Sequence, residues 1–301
     1  MNVILLNNIL DTLNNKGFSE HICCPYCQGT YIIKNGKYKG KQRFICKTCL
    51  KNFNSLTNSP MSMSHKPEKW PLFIECMIKG MSLRSSAKAI GVSFVTLFYW
   101  RHKLLRALES KENNQLTREV EVDDTFLPYS EKGSRKISGR NPRKNGNKYC
   151  IGEQNKVFVL VAADRSSNML LKASSTRNTI VTSINESLGP MVNEKTVLYS
   201  NAKTFYKHFA KFKGIKQHFS VSHYNRTEEK NIDLAFGYRK SLKTWLDKFM
   251  GVASKYLNRY LSLYSCFKRN NFDETETGVL NFIKALTNVN KKEYKKYIYD
   301  L

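Results

Sequence analysis

Apolar positions along the chain switch repeatedly between the helical and the strand period, and the switches divide it. MNVILLNNILDTL, at the start, sets Leu5, Leu6, Ile9, Leu10 and Leu13 on one side of an expected helix. QGTYIIKNGKYKGKQRFI (28–45) reads as a small hairpin, with Asn35-Gly36 as its turn signal. NSPMSMSH (58–65) has linker composition. After Pro67, Trp70, Phe73, Ile74, Met77 and Ile78 return at three- and four-residue steps. Ser82 then caps a short helix through Ile90, and Gly91 breaks it. Ser93 caps a longer basic helix carrying Val95, Phe98, Leu104, Leu105 and Leu108. Helix, glycine turn, longer helix is a helix-turn-helix pattern, also common in proteins that touch no DNA.

From Glu119 the texture becomes α/β. EVEVDDTFL, KVFVLVAADRSSNMLLKAS and KTVLYSN read as strands, the middle one a hairpin turning at Ser166-Ser167-Asn168. AKTFYKHFAKFKG is an amphipathic helix ended by Gly214, followed by the strand KQHFSVS and then helices. Strands first and alternation later predict a mixed sheet flanked by helices. The longest apolar run, Val157 to Ala163, is too short to span a bilayer, and the start lacks a basic region and cleavage site of a signal peptide. The expectation is a soluble, cytoplasmic protein with no membrane partner.

Charge sharpens that picture. Lys+Arg outnumber Asp+Glu 50 to 24, a formal charge of +26, which points to a polyanion and favours double-stranded DNA. In the longer helix Ser93, Thr96, Trp100, Arg101 and Lys103 are candidates to face a groove. The segment 132–148 has seven basic residues and no acid, so Arg135, Lys136, Arg140, Arg143 and Lys144 are candidate backbone contacts. The same segment also suits a solvated loop.

Four of the eight cysteines fall as Cys24-Pro-Tyr-Cys27 and Cys46-Lys-Thr-Cys49, with eighteen residues between the pairs. Two such knuckles suit one structural Zn²⁺ held by four thiolates, and a module this small needs the metal to fold. Cys23 could compete as a ligand, but Cys24 has the spacing; Cys76, Cys150 and Cys266 are isolated and expected in the core.

In so basic a chain, the stretch REVEVDDTFL (118–127) gathers Glu119, Glu121, Asp123 and Asp124 on one expected strand. Such acids either hold a cation, take part in acid-base chemistry, or line a half-exposed edge strand. The order zinc ribbon, helix-turn-helix, then EVDDTF, VLYSNAKTFYKHFAKFKGIKQH and YRKSLKTWLDKFMGVASKYLNRYL resembles bacterial insertion-sequence transposases. These belong to the DDE (ribonuclease H-like) superfamily, in the ISXO2-like group with an N-terminal zinc ribbon. The likeness is strongest over Leu242 to Leu261. It implies a multidomain chain: helix and zinc ribbon 1–57, helix-turn-helix 66–112, ribonuclease H-like α/β domain with a mixed sheet 117–270, and a helical tail 271–301.

The resemblance also implies three residues holding two Mg²⁺ ions for phosphodiester chemistry. The first matches Asp123 in Val122-Asp123-Asp124-Thr125; the second position reads Asn201 and the third Phe236. An amide is a weaker ligand than a carboxylate and phenylalanine offers none, so Mg²⁺ is expected to bind weakly or not at all. Asp233, Glu228 or Glu229 could supply a substitute carboxylate, and Asp124 or Glu121 could supplement Asp123. The expectation is a DNA-binding transposase homologue, at inverted-repeat ends, that does not cleave or transfer strands efficiently. The alternatives are an active transposase with a variant site, or a zinc-ribbon protein whose partner is another protein. The resemblance further implies multimers, or association with related transposases, and a place on the bacterial nucleoid.

Overall fold

The computed structural model describes residues 23–38, 41–54, 56–57, 60–109, 116–134, 156–166, 168–174, 180–222, 224–270, 272, 275, 277–279 and 281–282. The expected N-terminal helix, most of the basic segment (Arg135, Lys136, Arg140, Arg143 and Lys144), Cys150 and most of the expected tail lie outside them. The chain divides into two compact units, Met1–Lys111 with Asn271–Leu301, and Glu112–Asn270. The expected helix-turn-helix and tail fall together in the first.

In the first unit, β1 (Ile32–Tyr38), β2 (Lys41–Cys46) and β3 (Asn52–Phe53) form an antiparallel sheet in that order. The hairpin turn is not at Asn35-Gly36. Tyr38 pairs with Lys41, and the register shifts between Lys34 and Lys37. Gly36, at φ 64°, sits inside that irregularity, so the Asn-Gly signal marks a bulge, which also needs the left-handed region. Phe44 and Phe53 stack at 5.7 Å beneath Cys24 and Cys46, and little else is buried there.

The helical part follows its caps. α1 (Trp70–Ile78), α2 (Leu83–Ile90) and α3 (Phe94–Glu109) are the elements. Ser82 Oγ accepts from the Ser85 N–H at 3.2 Å and Ser93 Oγ from the Thr96 N–H at 3.2 Å, each closing a first turn. Gly91, at φ 69°, ends α2 as a left-handed C-cap. Trp100 of α3 lies against Trp70 of α1, the ring centroids 4.3 Å apart and the planes 12° from parallel, with Phe73 edge-on. Trp100→Ala should therefore cost about 3–5 kcal/mol in this helical region. The check is hydrogen exchange across residues 70–109; unchanged protection there would contradict the packing.

The second unit is a five-stranded mixed sheet of order β6-β5-β4-β7-β8. Its strands are β4 (Glu119–Pro128), β5 (Lys156–Asp164), β6 (Met169–Ala173), β7 (Val197–Asn201) and β8 (Gln217–Val221). β4, β5 and β6 run antiparallel, while β7 and β8 join parallel to β4. Parallel neighbours need crossovers, supplied by α4 (Ile180–Ser187) before β7 and α5 (Thr204–Phe212) before β8. β4 is thus a central strand, not an edge. Val120 and Val122 share a core with Leu160, Leu198, Tyr206 and Phe209 on the α5 face, and Glu121 and Asp123 face α6 (Asp233–Asp247). The edge strand β6 is closed by α7 (Leu257–Asn270). Its Asn258 donates Nδ2 to the Ala173 carbonyl at 3.1 Å and accepts the Ala173 N–H at 2.7 Å. The expected mixed sheet flanked by helices is therefore present. Among the described residues no helix is long and apolar enough to cross a membrane.

Candidate active site and cysteine cluster

The four acids of β4 have four different environments. Glu119 is exposed, and its carboxylate lies 3.6 Å from Arg165. Glu121 is fully buried: Oε2 accepts the main-chain N–H groups of Leu234 and Ala235 at 2.8 and 3.2 Å, capping α6, and Oε1 faces Arg165 at 2.9 Å. Burial pushes the Glu121 carboxyl up, and the Ala235 N–H and Arg165 only partly offset it. Asp123 and Asp124 are buried at the level where β7 ends in Asn201.

Adjacent strand residues point to opposite faces, and so do these two. Asp123 Oδ2 lies 2.8 Å from Arg239 Nε on α6, an ion contact off the line of the N–H. Asp124 turns to α5, where Oδ1 accepts from Tyr206 Oη at 3.2 Å and Oδ2 from the Lys203 ammonium. Burial, then Asp124 and Asp123, raise the Tyr206 phenol well above its usual range, so it stays a donor. Asn201, at the strand end, reaches both: Nδ2 donates to Asp123 Oδ1 at 2.8 Å and to Asp124 Oδ1 at 2.9 Å. Its Oδ1 is buried without a hydrogen-bond partner. Phe236 is 46% exposed on α6, with the Arg239 guanidinium over its ring at 4.8 Å. Next to Asn201, Ser200 Oγ lies 2.8 Å from His218 Nε2, whose ring is held below its usual pKa by burial and Lys207.

Asp123 and Asn201, far apart in sequence, are therefore brought into contact, and Phe236 lies one helical turn from a residue that touches Asp123. Of the substitute carboxylates only Asp124 comes within reach of Asn201, and its second oxygen is held by Lys203. Asp233 turns to Arg226 at 2.6 Å and is half exposed, Glu228 and Glu229 are exposed, Glu121 caps α6, and Asp124 faces α5. Sequence reasoning missed Arg239 and Lys203. The available signal was a basic residue three positions after Phe236 and another two after Asn201, on turns already placed beside the acids.

The other expected chemistry is in the ribbon. The Sγ atoms of Cys24, Cys27, Cys46 and Cys49 all lie within 4.8 Å of one another, and this group could hold a metal ion. A tetrahedral ion with bonds of about 2.3 Å spaces its sulfurs about 3.8 Å apart, and the Cys24–Cys49 and Cys27–Cys46 separations are 3.5 and 3.6 Å. The two knuckles are built alike. Gln28 and Leu50, each following a second cysteine, are left-handed at φ 63° and 58°, and each bonds back to the carbonyl of the first cysteine, Cys24 or Cys46. The donors fit a cation: thiols so close cannot all ionise alone. Burial would raise the Cys46 thiol, yet the Cys49 and Thr48 N–H groups and the facing thiols hold it down to about 6. Cys27, despite the Gly29 N–H, is pushed up to about 12 by burial and its neighbouring thiols. Cys23 is exposed, outside the cluster.

The helical candidates divide. Ser93 is exposed and Thr96 half-buried at the start of α3. Trp100 and Arg101 are buried, the first in the aromatic stack and the second donating to the Met81 carbonyl at 3.1 Å. Lys103 is half-buried and donates to the Ser62 carbonyl at 3.2 Å. The expectation that Trp100, Arg101 and Lys103 face a groove is therefore corrected, because α3 turns that side onto its own unit. Phe94, Val95 and Tyr99 are exposed beside Ser93 instead.

The chain is 30% identical over 151 residues to an uncharacterized protein in the transposable element ISH50 of Halobacterium salinarum, covering 48% of this chain and 50% of that protein. The chain thus spans about half the length of that relative. A crystal structure of a pre-cleavage Mos1 transpososome aligns over 89% of this chain and 97% of its own at 10% identity, but with a TM-score of 0.25, which carries no argument. The ISXO2-like transposase domain matches residues 115–268, just over half of the chain. With its acids gathered mid-way along β4, beside the end of β7 in one mixed sheet, the chain belongs to the family of the ISXO2-like transposase domain.

Proposed function

We propose that the protein is a transposase homologue that binds double-stranded DNA without cutting or joining it efficiently. One observation carries this reading: the Asn201 amide donates to Asp123 and Asp124. A side chain that donates to two carboxylates is not presenting its carbonyl to a metal between them. With Phe236 at the third position, Asp123 is the one carboxylate of the expected triad, too few charged oxygens for a pair of Mg²⁺ ions. Losing only ~4 kcal/mol of metal stabilisation slows a reaction about a thousandfold.

DNA binding draws on the charge of +26 and on three regions. Ser93 and Thr96 open the second helix of a helix-turn-helix, with the exposed Arg84 and Lys88 on the preceding helix. Arg135, Lys136, Arg140, Arg143 and Lys144 add backbone contacts from the basic segment. The ribbon, with Zn²⁺ on Cys24, Cys27, Cys46 and Cys49, presents Lys34 and Lys37 on an exposed strand. When bound, Zn²⁺ supplies the cross-link between the two knuckles.

The test is electrophoretic shift and strand cleavage on the same duplex, carrying the ends of the element that encodes the chain. Binding is expected at low salt, weakening steeply as salt rises, with no nicked or joined product in Mg²⁺ or Mn²⁺. Product that disappears on Asp123→Ala would make the protein an active transposase with a variant site. No shift at low salt would leave a protein partner as the better account.

A further inference from the structure

The acids in the middle of β4, Asp123 and Asp124, carry their counter-charges within the chain. Asp123 Oδ1 accepts from Asn201 Nδ2 and from the Asp124 main-chain N–H, both at 2.8 Å, and Oδ2 lies against the Arg239 guanidinium at 2.8 Å. Asp124 Oδ1 takes Asn201 and Tyr206, and Oδ2 takes Lys203. All four carboxylate oxygens are engaged, and two negative charges face two positive ones. The residues present do not fit the divalent ions that the family resemblance implies. An ion there would have to displace a guanidinium, an ammonium and an amide, and would gain no third carboxylate.

The two departures from the expected triad belong to the same arrangement. Phe236 holds the guanidinium of Arg239 over its ring at 4.8 Å, and Asn201 supplies the N–H that a carboxylate could not. Restoring Asp at 201 would put a third negative group against Asp123 and Asp124. Phe236 thus contacts the internal cation Arg239, and Asn201 contacts the acids that the cations face.

We propose that Arg239, with Lys203 on the opposite face of the sheet, is the resident cation of this site. It pairs with Asp123, the residue that matches the family's first metal ligand, and ties α6 to β4. The inference rests on the reading of Asp123 and Asn201 as the remnant of a metal site. It goes beyond that reading in assigning the site a structural occupant, one that makes the acids of β4 independent of metal. Asp123 has a side chain only 6% exposed, so removing Arg239 strands a buried carboxylate.

The experiment uses the zinc-loaded full chain. Mn²⁺ uptake is followed by electron paramagnetic resonance, and thermal unfolding is compared for wild type, Arg239→Met, and the double variant Asp123→Asn with Arg239→Met. The expected result is no specific Mn²⁺ uptake by wild type, a clear fall in Tm for Arg239→Met, and recovery of most of that fall in the double variant. If Arg239→Met does not fold, recovery of a folded double variant supports the ion lock, and its failure to fold overturns it. Wild-type Mn²⁺ binding that is lost on Asp123→Asn would overturn the lock, as would an Arg239→Met Tm equal to wild type or a double variant no better than the single. A parallel cleavage assay separates the two readings. Mn²⁺ binding without cleavage sinks the lock alone, whereas cleavage sinks the non-cleaving function.

Discussion

Removing metal from the four-cysteine cluster should unfold the residues from Cys24 to Phe53 while the sheet of β4 to β8 stays intact. The buried core of the ribbon is Phe44 and Phe53 with two of the cysteines themselves. Three short strands on so small a core cannot offset the entropy of ordering them. In modules of this kind the metal contributes an apparent ~10–16 kcal/mol at neutral pH, and that binding energy is the folding energy. Cys46→Ser should have the same effect as a chelator, since Cys46 is fully buried and bonded within its own knuckle. The measurement is hydrogen exchange resolved by mass spectrometry, with zinc content by atomic absorption. One zinc per chain is expected, with loss of amide protection in β1 and β2 on chelation. Protection that survives in a metal-free chain would mean the thiols are held by packing alone.

Asp164→Ala should be the most damaging single change in the second unit. Asp164 is fully buried where β5 turns into β6, and each of its oxygens takes two donors. Oδ1 accepts the N–H groups of Ser166 and Asn168 at 2.9 and 2.8 Å; Oδ2 accepts Thr117 N–H at 2.8 Å and Asn168 Nδ2 at 2.9 Å. Hydrogen bonds to a charged group are each worth ~1.5–3 kcal/mol, and they are not additive, so a loss of about 4 kcal/mol follows. At the scale of this unit that is roughly 10 °C in Tm. Burial alone would raise this carboxyl, but the Asn168 side chain and the Thr117 and Asn168 N–H groups outweigh it and hold it below the usual 3.8. The stabilisation is therefore present above 3.8 and lost as pH falls through the lower folded-state value. Urea unfolding at neutral and acid pH checks both. A wild-type advantage over Asp164→Ala that persists unchanged well below pH 3.8 would contradict the assignment.

How far the sequence reached differs from element to element. Ser82, Gly91 and Ser93 marked the helix ends correctly because a cap acts on its own first or last turn, within a few residues. The two cysteine pairs were readable for the same reason: each knuckle is a local loop with an i to i+4 bond, repeated. Asn35-Gly36 misled because a bulge and a hairpin turn ask for the same left-handed glycine, and only strand pairing distinguishes them. Trp100 and Arg101 misled because a helix face is polar or apolar in sequence but buried only by what packs on it. α1 covers that face here.

The chain's own residues determined that a basic protein would carry a four-cysteine cluster, a capped helical pair and a mixed sheet with acids on its first strand. Periodicity, spacing and charge are properties of neighbouring residues, so they survive without coordinates. Tertiary structure alone decided what those acids do. It made β4 central, set Asp123 and Asp124 on opposite faces, brought Asn201 between them as a donor, and delivered Arg239 from a distant helix. Counter-charge in a buried site is set by which side chain arrives within ~3 Å, and chain distance carries no information about that.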